Sequence, residues 1–274
     1  MPELPEVETI KSELLPYVTG HKISSVTLLW ERMLRQPSPE EFYSRIPGQK
    51  ITGLTRRGKY LIFNLEGGEQ LLVHLKMSGS LLVSKDSAPL PKYTRAIINL
   101  DNGIRIFFRD PRKLGTMQLV EGKNNILDKL GPEPLEPGFT PELLSKRLGK
   151  RKAPIKAVLT DQNLVAGVGN MYADEALFLA RIHPLRPASS LSWEETRQLH
   201  HAIQQVLWTA IGDKGASVST YLRPGGEIGS AQSQFQVAHR GGKPCPVCGT
   251  PIERIPIRHR GSYFCPRCQP GSRA

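Results

Sequence analysis

Cys245-Pro-Val-Cys248 and, after sixteen intervening residues, Cys265-Pro-Arg-Cys268 hold all four cysteines of this 274-residue chain. Each C-x2-C pair puts two thiolates on one turn, and the segment between the pairs brings them together around one tetrahedral ion. Zinc suits that donor set. Four protein thiolates leave no position for water, so the expected Zn2+ is a single structural ion that holds together a segment too small to fold around its own core. Two disulfides are the alternative. They are disfavoured because the opening, Met1-Pro2-Glu3-Leu4-Pro5-Glu6, is acidic and unlike an export signal.

The same tail is basic. From His239 to Ala274 there are seven lysines and arginines against one acid, Glu253, in a chain with a net charge of +12. A second basic run comprises Lys146, Arg147, Lys150, Arg151, Lys152 and Lys156. Clustered cations with a sequence pI near 9.7 are the electrostatic footprint of a nucleic-acid binder. No apolar stretch approaches the roughly 18 residues of a membrane span, so neither a membrane nor secretion is expected.

Upstream of the cysteines, a polar, glycine-rich segment over 214–236 reads as a mobile loop. Before it, helical periodicity predicts helices over 154–160, 170–180 and 193–211, the last opened by a Ser192/Glu195 capping box. Between the first two lies Val165-Ala-Gly-Val-Gly-Asn170. Gly167 and Gly169 permit a tight turn, and Asn170 is expected to cap the following helix, whose free N–H groups suit a phosphate. Leu130-Gly-Pro-Glu-Pro-Leu135 reads as a proline-rich linker. The first 125 or so residues are predicted to be an antiparallel β unit: a helix from Pro5 to Leu15, strands over 22–30, 59–65, 70–74 and 96–100, and turn signals at Gly67-Gly68 and Asn102-Gly103.

Seven motifs in order, covering nearly the whole chain, resemble the bacterial formamidopyrimidine-DNA glycosylases, also called 8-oxoguanine DNA glycosylases. They are Pro2-Glu-Leu-Pro-Glu-Val-Glu-Thr9, Arg57-Gly-Lys-Tyr60, His74-Leu-Lys-Met-Ser-Gly79, Asp110-Pro-Arg-Lys113, Leu130-Gly-Pro-Glu-Pro-Leu135, Gly167-Val-Gly-Asn-Met-Tyr172 and the four-cysteine tail. The resemblance implies an α+β fold: an N-terminal catalytic antiparallel β-sandwich domain flanked by helices (1–130), a helical DNA-binding domain with a helix-two-turn-helix motif (136–222) and a C-terminal zinc-finger hairpin (237–270). It also implies a bifunctional glycosylase and AP lyase that excises 8-oxoguanine and formamidopyrimidines from double-stranded DNA and nicks by β,δ-elimination.

By the same resemblance the nucleophile is the secondary amine of Pro2, freed by removal of Met1, which attacks the sugar C1′ and leaves an iminium. A terminal amine titrates near 8, and a helix N-terminus nearby enlarges its reactive fraction. Glu3 matches the general acid and Glu6 a supporting acid; Lys59 matches a phosphate-contacting lysine used in β-elimination, and Arg260 the arginine of δ-elimination. Reaching a base inside a duplex requires extrusion, and Met77 and Arg112 match residues that fill the resulting void. Leu114 stands where relatives usually carry phenylalanine. Tyr93 and Arg95 replace frequent histidines, and Ala238-His239 replaces a frequent Tyr-Gly. Lys152, Lys156, Asn170 and Arg258 complete the expected DNA contacts. Two alternatives remain: an endonuclease VIII-like enzyme for oxidised pyrimidines, disfavoured by Leu4 where that type usually has glycine, and a non-catalytic zinc-finger DNA-binding protein, disfavoured by Pro2, Glu3, Lys59 and Arg260 together. A monomer in the bacterial cytoplasm is expected.

Overall fold

A computed structural model describes residues 1–85, 89–122 and 125–271; of the basic tail, Arg273 lies outside them. The chain divides into two compact units, Met1–Asp128 with Asp213–Gln232, and Lys129–Gly212 with Ser233–Ala274.

The first unit begins with α1 (Leu4–Val18), β1 (Ile23–Leu28) and α2 (Pro39–Arg45). It continues through β2 (Ile51–Arg57), β3 (Tyr60–Leu65), β4 (Glu69–His74), β5 (Ser80–Lys85), β6 (Thr94–Leu100), β7 (Ile104–Arg109), β8 (Thr116–Glu121) and the single turn α3 (Asn125–Asp128). The strands form two four-stranded antiparallel sheets, ordered β1-β6-β7-β5 and β2-β3-β4-β8. Inward residues of both sheets, such as Val26, Ile98, Phe108, Leu61, Val73 and Leu119, share one core with α1. Helix α1 joins that core because Val7, Ile10, Leu14 and Val18 recur at helical spacing and are fully buried. Each such side chain contributes about 1.5–3 kcal/mol on leaving water. Proline at the first turn and a Glu3/Glu6 capping box start the helix.

Residues 213–230 form a loop without helix or strand, as expected, and it is tied down along its length. Ala216 pairs with Ser230, Pro224 O accepts from Val83 N at 2.8 Å, and the Arg223 guanidinium grips Glu13. Strand β5 and helix α1 thus hold the segment by hydrogen bonds that sequence composition does not register.

The second unit contains α4 (Pro141–Leu148), α5 (Ile155–Leu159), α6 (Asn170–Leu179), α7 (Trp193–Gly212) and the hairpin β9 (Glu253–Ile257)–β10 (Arg260–Phe264). The Ser192/Glu195 box opens α7 reciprocally: Ser192 N donates to Glu195 Oε2 at 2.8 Å and Glu195 N to Ser192 Oγ at 3.2 Å. The proline-rich residues 130–135 are held in place within the second unit. Gly131 N donates to Gln162 O at 2.8 Å, and a Cβ at Gly131 would stand 2.5 Å from the Leu164 backbone, so the segment is packed against the turn before α6. Helix α6 packs on α7 and on β10. No helix among the described residues is long and apolar enough to cross a membrane.

Candidate catalytic and nucleic-acid-binding residues

In the first unit, Pro2, Glu3 and Glu6 are buried at the N-terminal end of α1. Glu3 N donates to Glu6 Oε2 at 2.6 Å, while Glu6 Oε1 accepts from Ala216 N at 2.7 Å. Both carboxylates therefore sit at the positive end of the helix dipole, held by backbone N–H groups. Glu8, two residues on, is pushed up by burial, but hydrogen bonds from Lys11 and Arg56 hold its carboxyl below the usual range overall.

Lys59 follows Gly58 in the two-residue turn between β2 and β3, and Gly58 takes φ +57, a left-handed conformation suited to glycine in a hairpin turn. The lysine is only 5% exposed. Nearby His74 is held down to about 3 by burial and by the charges of Lys76 and Lys59. Its neutral ring accepts at Nδ1 from Lys76 N at 2.9 Å, which fixes the chain as it enters the loop carrying Met77.

Met77 and Arg112 meet: Arg112 Nη1 donates to Met77 Sδ at 3.4 Å. Their loops rest on Phe108. A Cβ at Gly79 would lie 2.9 Å from that ring and one at Gly115 2.4 Å, so only glycine allows this approach. Buried Asp110 organises the second loop. Its Oδ2 accepts from Leu114 N and Gly115 N, each at 2.7 Å, and its Oδ1 from Ser78 Oγ and Arg112 N. Met77 and Leu114 are left exposed at the tips. Tyr93 is also exposed, with Lys92 and Arg109 over its ring, and Arg95 Nε donates to Asp110 O at 2.8 Å.

In the second unit, Lys156, Asn170, Arg258 and Arg260 line one cleft of about 380 Å³, together with Gln162 and Ser262. Lys152 is exposed and is not among its lining residues. Lys156 is 2% exposed, and its ammonium donates to Asn170 O at 2.7 Å and to the equally buried Asp174. Burial pushes Asp174 up to about 7 despite the opposing Lys156 charge. Asn170 does not cap α6. Gly169 is the N-cap, Asn170 is the first helical residue, and its Nδ2 donates to Gly261 O in the hairpin at 2.8 Å. Asn170 Oδ1 and Ser262 Oγ are buried without a partner among the described residues, which leaves the cleft with hydrogen-bonding capacity to spare.

Arg258 and His259 form the two-residue β9–β10 turn with φ +46 and +62, so Arg258, His259 and Arg260 project from a left-handed turn usually built from Asn-Gly. Lys76 (φ +52), Tyr93 (φ +70) and Lys113 (φ +56) share this conformation. Left-handed non-glycine residues thus adjoin or include Met77, Tyr93, Arg112, Leu114, Arg258 and Arg260, and they occur as well at Arg181, Lys214 and His239.

The four cysteine sulfurs lie within 4.8 Å of one another, with Cys245–Cys268 at 3.9 Å and Cys248–Cys265 at 3.4 Å. These spacings exclude disulfides, whose sulfurs stand about 2 Å apart. They bracket the roughly 3.8 Å edge of a tetrahedron with 2.3 Å zinc–sulfur bonds, so the residues fit a structural zinc. Gln269, fully buried, ties this finger down: its Oε1 accepts from Cys265 N and its Nε2 donates to Ile182 O, both at 2.9 Å.

Sequence reasoning missed Asp110, Asp174 and Glu175 as organising residues. Glu175, whose carboxyl burial pushes up, accepts from Gln236 N, Val237 N and Ala238 N at 2.8–2.9 Å and so fixes the entry to the finger. The available signal was two adjacent acids, Asp174-Glu175, inside an otherwise apolar helix.

Three family models match the chain: the formamidopyrimidine-DNA glycosylase N-terminal domain over residues 1–117, the formamidopyrimidine-DNA glycosylase H2TH domain over 130–221, and the zinc finger found in FPG and IleRS over 242–271. The formamidopyrimidine-DNA glycosylase of Chloroflexus aurantiacus is 47% identical over 98% of both chains, and that of Symbiobacterium thermophilum 46% identical over 98% of this chain and 90% of its own. Among solved structures, the MutM (Fpg) protein of Thermus thermophilus superposes with a TM-score of 0.89 at 41% identity, covering 98% of each chain. A Lactococcus lactis Fpg mutant in complex with Fapy-dG-containing DNA superposes at 0.92 with 36% identity, over 98% of this chain and 100% of its own. The chain belongs to the formamidopyrimidine-DNA glycosylase family.

Proposed function

We propose that this protein is a bifunctional DNA glycosylase and AP lyase that excises oxidised purines, 8-oxoguanine and formamidopyrimidines, from duplex DNA through the amine of Pro2. The observation that carries the reading is the buried Pro2-Glu3 start of α1 with Glu6 bonded back to the Glu3 amide, in a chain of this family. A DNA-binding protein needs no proline and buried acids at its terminus.

With Met1 attached, the Pro2 nitrogen is an amide without nucleophilicity, so the reaction begins from a chain trimmed by one residue. The freed amine attacks C1′, the bond from C1′ to the base breaks, and a covalent iminium forms that splits one difficult step into two. Glu3 serves as the acid for the sugar ring oxygen and then assists the proton movements of elimination, while Glu6 is a supporting acid of the pocket that takes the base. Lys59 contacts the phosphate beside the lesion and serves in β-elimination; Arg260 holds flanking phosphates and serves in δ-elimination. Met77, Arg112 and Leu114 fill the void left by the extruded base, and Arg112 can hydrogen-bond the orphaned cytosine. Tyr93, Lys152, Asn170 and Arg258 complete the DNA contacts. Buried Lys156 acts by fixing Asn170 and the cleft rather than by reaching outward, a reading supported by its bonds to Asn170 O and Asp174.

The division of labour follows: residues 1–130 carry the catalysis, 136–222 the helical DNA grip, and 237–270 the finger. One structural zinc per chain, held by Cys245, Cys248, Cys265 and Cys268, supplies rigidity to the hairpin bearing Arg258 and Arg260 and takes no part in the chemistry. The protein works as a monomer in the bacterial cytoplasm.

Borohydride trapping of Met1-trimmed protein on a duplex carrying 8-oxoguanine opposite cytosine tests this. The expected result is a covalent adduct lost in Pro2→Gly. An adduct on an abasic duplex alone would keep the lyase and overturn the purine assignment; no adduct on either would leave a DNA-binding protein.

A further inference from the structure

Residues 213–232 run along α1 as a strap fixed at both ends of a two-turn stretch. At one end Ala216 N donates to Glu6 Oε1 at 2.7 Å, and Gly215 (φ +77) lies so close that a Cβ there would stand 2.9 Å from Glu6 Cγ. At the other end the Arg223 guanidinium takes Glu13 in a two-pronged grip, Nε and Nη2 to Oε1 at 2.9 and 2.6 Å and Nε to Oε2 at 3.2 Å. Glu6 and Glu13 are seven residues apart on α1, two turns or about 10 Å along its axis. Between the clamps, Tyr221 inserts its ring into the core shared by both sheets, with its hydroxyl 3.3 Å from Lys214 O and 3.5 Å from Glu6 O. Burial, with Glu6 and Glu13 nearby, raises its phenol above the ordinary value, so it stays a neutral donor. Leu222 N to Ser80 Oγ and Val83 N to Pro224 O complete the attachment.

We infer that the Arg223–Glu13 ion pair is a positioning device for excision: it fixes the far end of the strap, the strap fixes the Ala216 amide, and that amide sets the Glu6 carboxylate for work on the damaged base. The inference rests on the proposed function. It also has a signature of its own. An abasic site presents no base, so a carboxylate acting on the base matters for excision and not for nicking of a sugar already vacated. The pair is partly exposed, at 27% and 23%, and a bidentate guanidinium–carboxylate contact offers the geometry to hold a loop, whereas the net stability of such a pair is small. Its loss therefore leaves the fold intact.

The test uses Arg223→Gln and Glu13→Gln in the full Met1-trimmed chain. Single-turnover excision of 8-oxoguanine is expected to fall about five- to ten-fold while nicking of an abasic duplex stays within about two-fold. The double exchange Glu13→Arg with Arg223→Glu is expected to restore excision to within roughly two-fold. Amide exchange at Ala216 should speed up by about ten-fold in each single variant, independently of any activity. Equal loss of both activities, or no change in either, would overturn the positioning role, as would unchanged exchange at Ala216. An inactive parent protein that still shows the exchange response would instead count against the proposed function alone.

Discussion

Asn170 Nδ2 donates to Gly261 O at 2.8 Å, so the first residue of α6 holds the backbone of the hairpin that carries Arg258 and Arg260. The bond converts a helix terminus into a mount for two guanidinium groups. Asn170→Ala removes the donor and leaves a carbonyl unsatisfied, at a cost of about 1–1.5 kcal/mol. Binding to an abasic duplex should weaken about ten-fold. Fluorescence anisotropy checks this, and parental affinity in the variant would show that the hairpin is held without Asn170.

Lys156 and Asp174 form a buried pair, and buried pairs are costly to break from one side. Lys156→Met strands the Asp174 carboxylate and is expected to lower stability by about 3–5 kcal/mol, whereas Lys156→Met with Asp174→Leu should recover most of that loss. Urea denaturation of the two variants separates the outcomes. A double variant as unstable as the single would mean that packing, rather than the uncompensated charge, sets the cost.

The finger is too small to hold itself together without its ion. Stripping zinc with a strong chelator, or Cys268→Ser, should abolish strand nicking, while the circular-dichroism signal of the remaining helices and sheets persists. Metal analysis should return about one zinc per chain for the parent, the full complement of a four-thiolate site. Nicking by fully metal-free protein would separate the finger from the reaction.

The parts of this design that were legible in the sequence are those in which the determining residues are close together. The Pro5 start of α1, the Ser192/Glu195 box, the C-x2-C pairs and the Gly67-Gly68 and Asn102-Gly103 turns all act within a few positions of one another. What was missed depends on partners far apart in sequence. Nothing around Asn170 says that its amide reaches Gly261, and nothing around Arg223 names Glu13. The 213–232 segment reads as a mobile loop because its composition is polar, yet Tyr221, the Ala216 amide and Arg223 attach it to residues more than two hundred positions earlier. Strands β2, β5, β7 and β8 escaped because runs of six or seven residues show their pairing only against partners elsewhere in the chain.

His74 predicts an acid sensitivity with a definite sign. Burial, then the charges of Lys76 and Lys59, lowers its pKa from 6.5 to about 3. Between those values the unfolded chain binds a proton that the folded one refuses, so this contribution is whole above 6.5 and is lost as pH falls towards 3. His74→Gln keeps an acceptor for Lys76 N but cannot titrate. Going from about pH 7.5 to about pH 4.5, the parent should lose roughly 3 kcal/mol more than the variant. Identical pH profiles would place the ring's proton elsewhere.

Leu114 sits exposed at the tip of a loop whose backbone is fixed by Asp110, so a larger side chain there changes the surface the loop presents without disturbing the core. Leucine can wedge between bases but cannot stack on them. A stacked aromatic ring contributes about 1–3 kcal/mol per base. Leu114→Phe is therefore expected to tighten binding to a lesion duplex by at least about five-fold while the melting temperature holds, because surface changes away from packed features shift stability by within about 0.5 kcal/mol. Titration of the variant against lesion and undamaged duplexes reads both effects. Equal affinity to the parent on the lesion duplex would show that wedging alone accounts for this position, and tightening on both duplexes alike would assign the ring to searching rather than to discrimination.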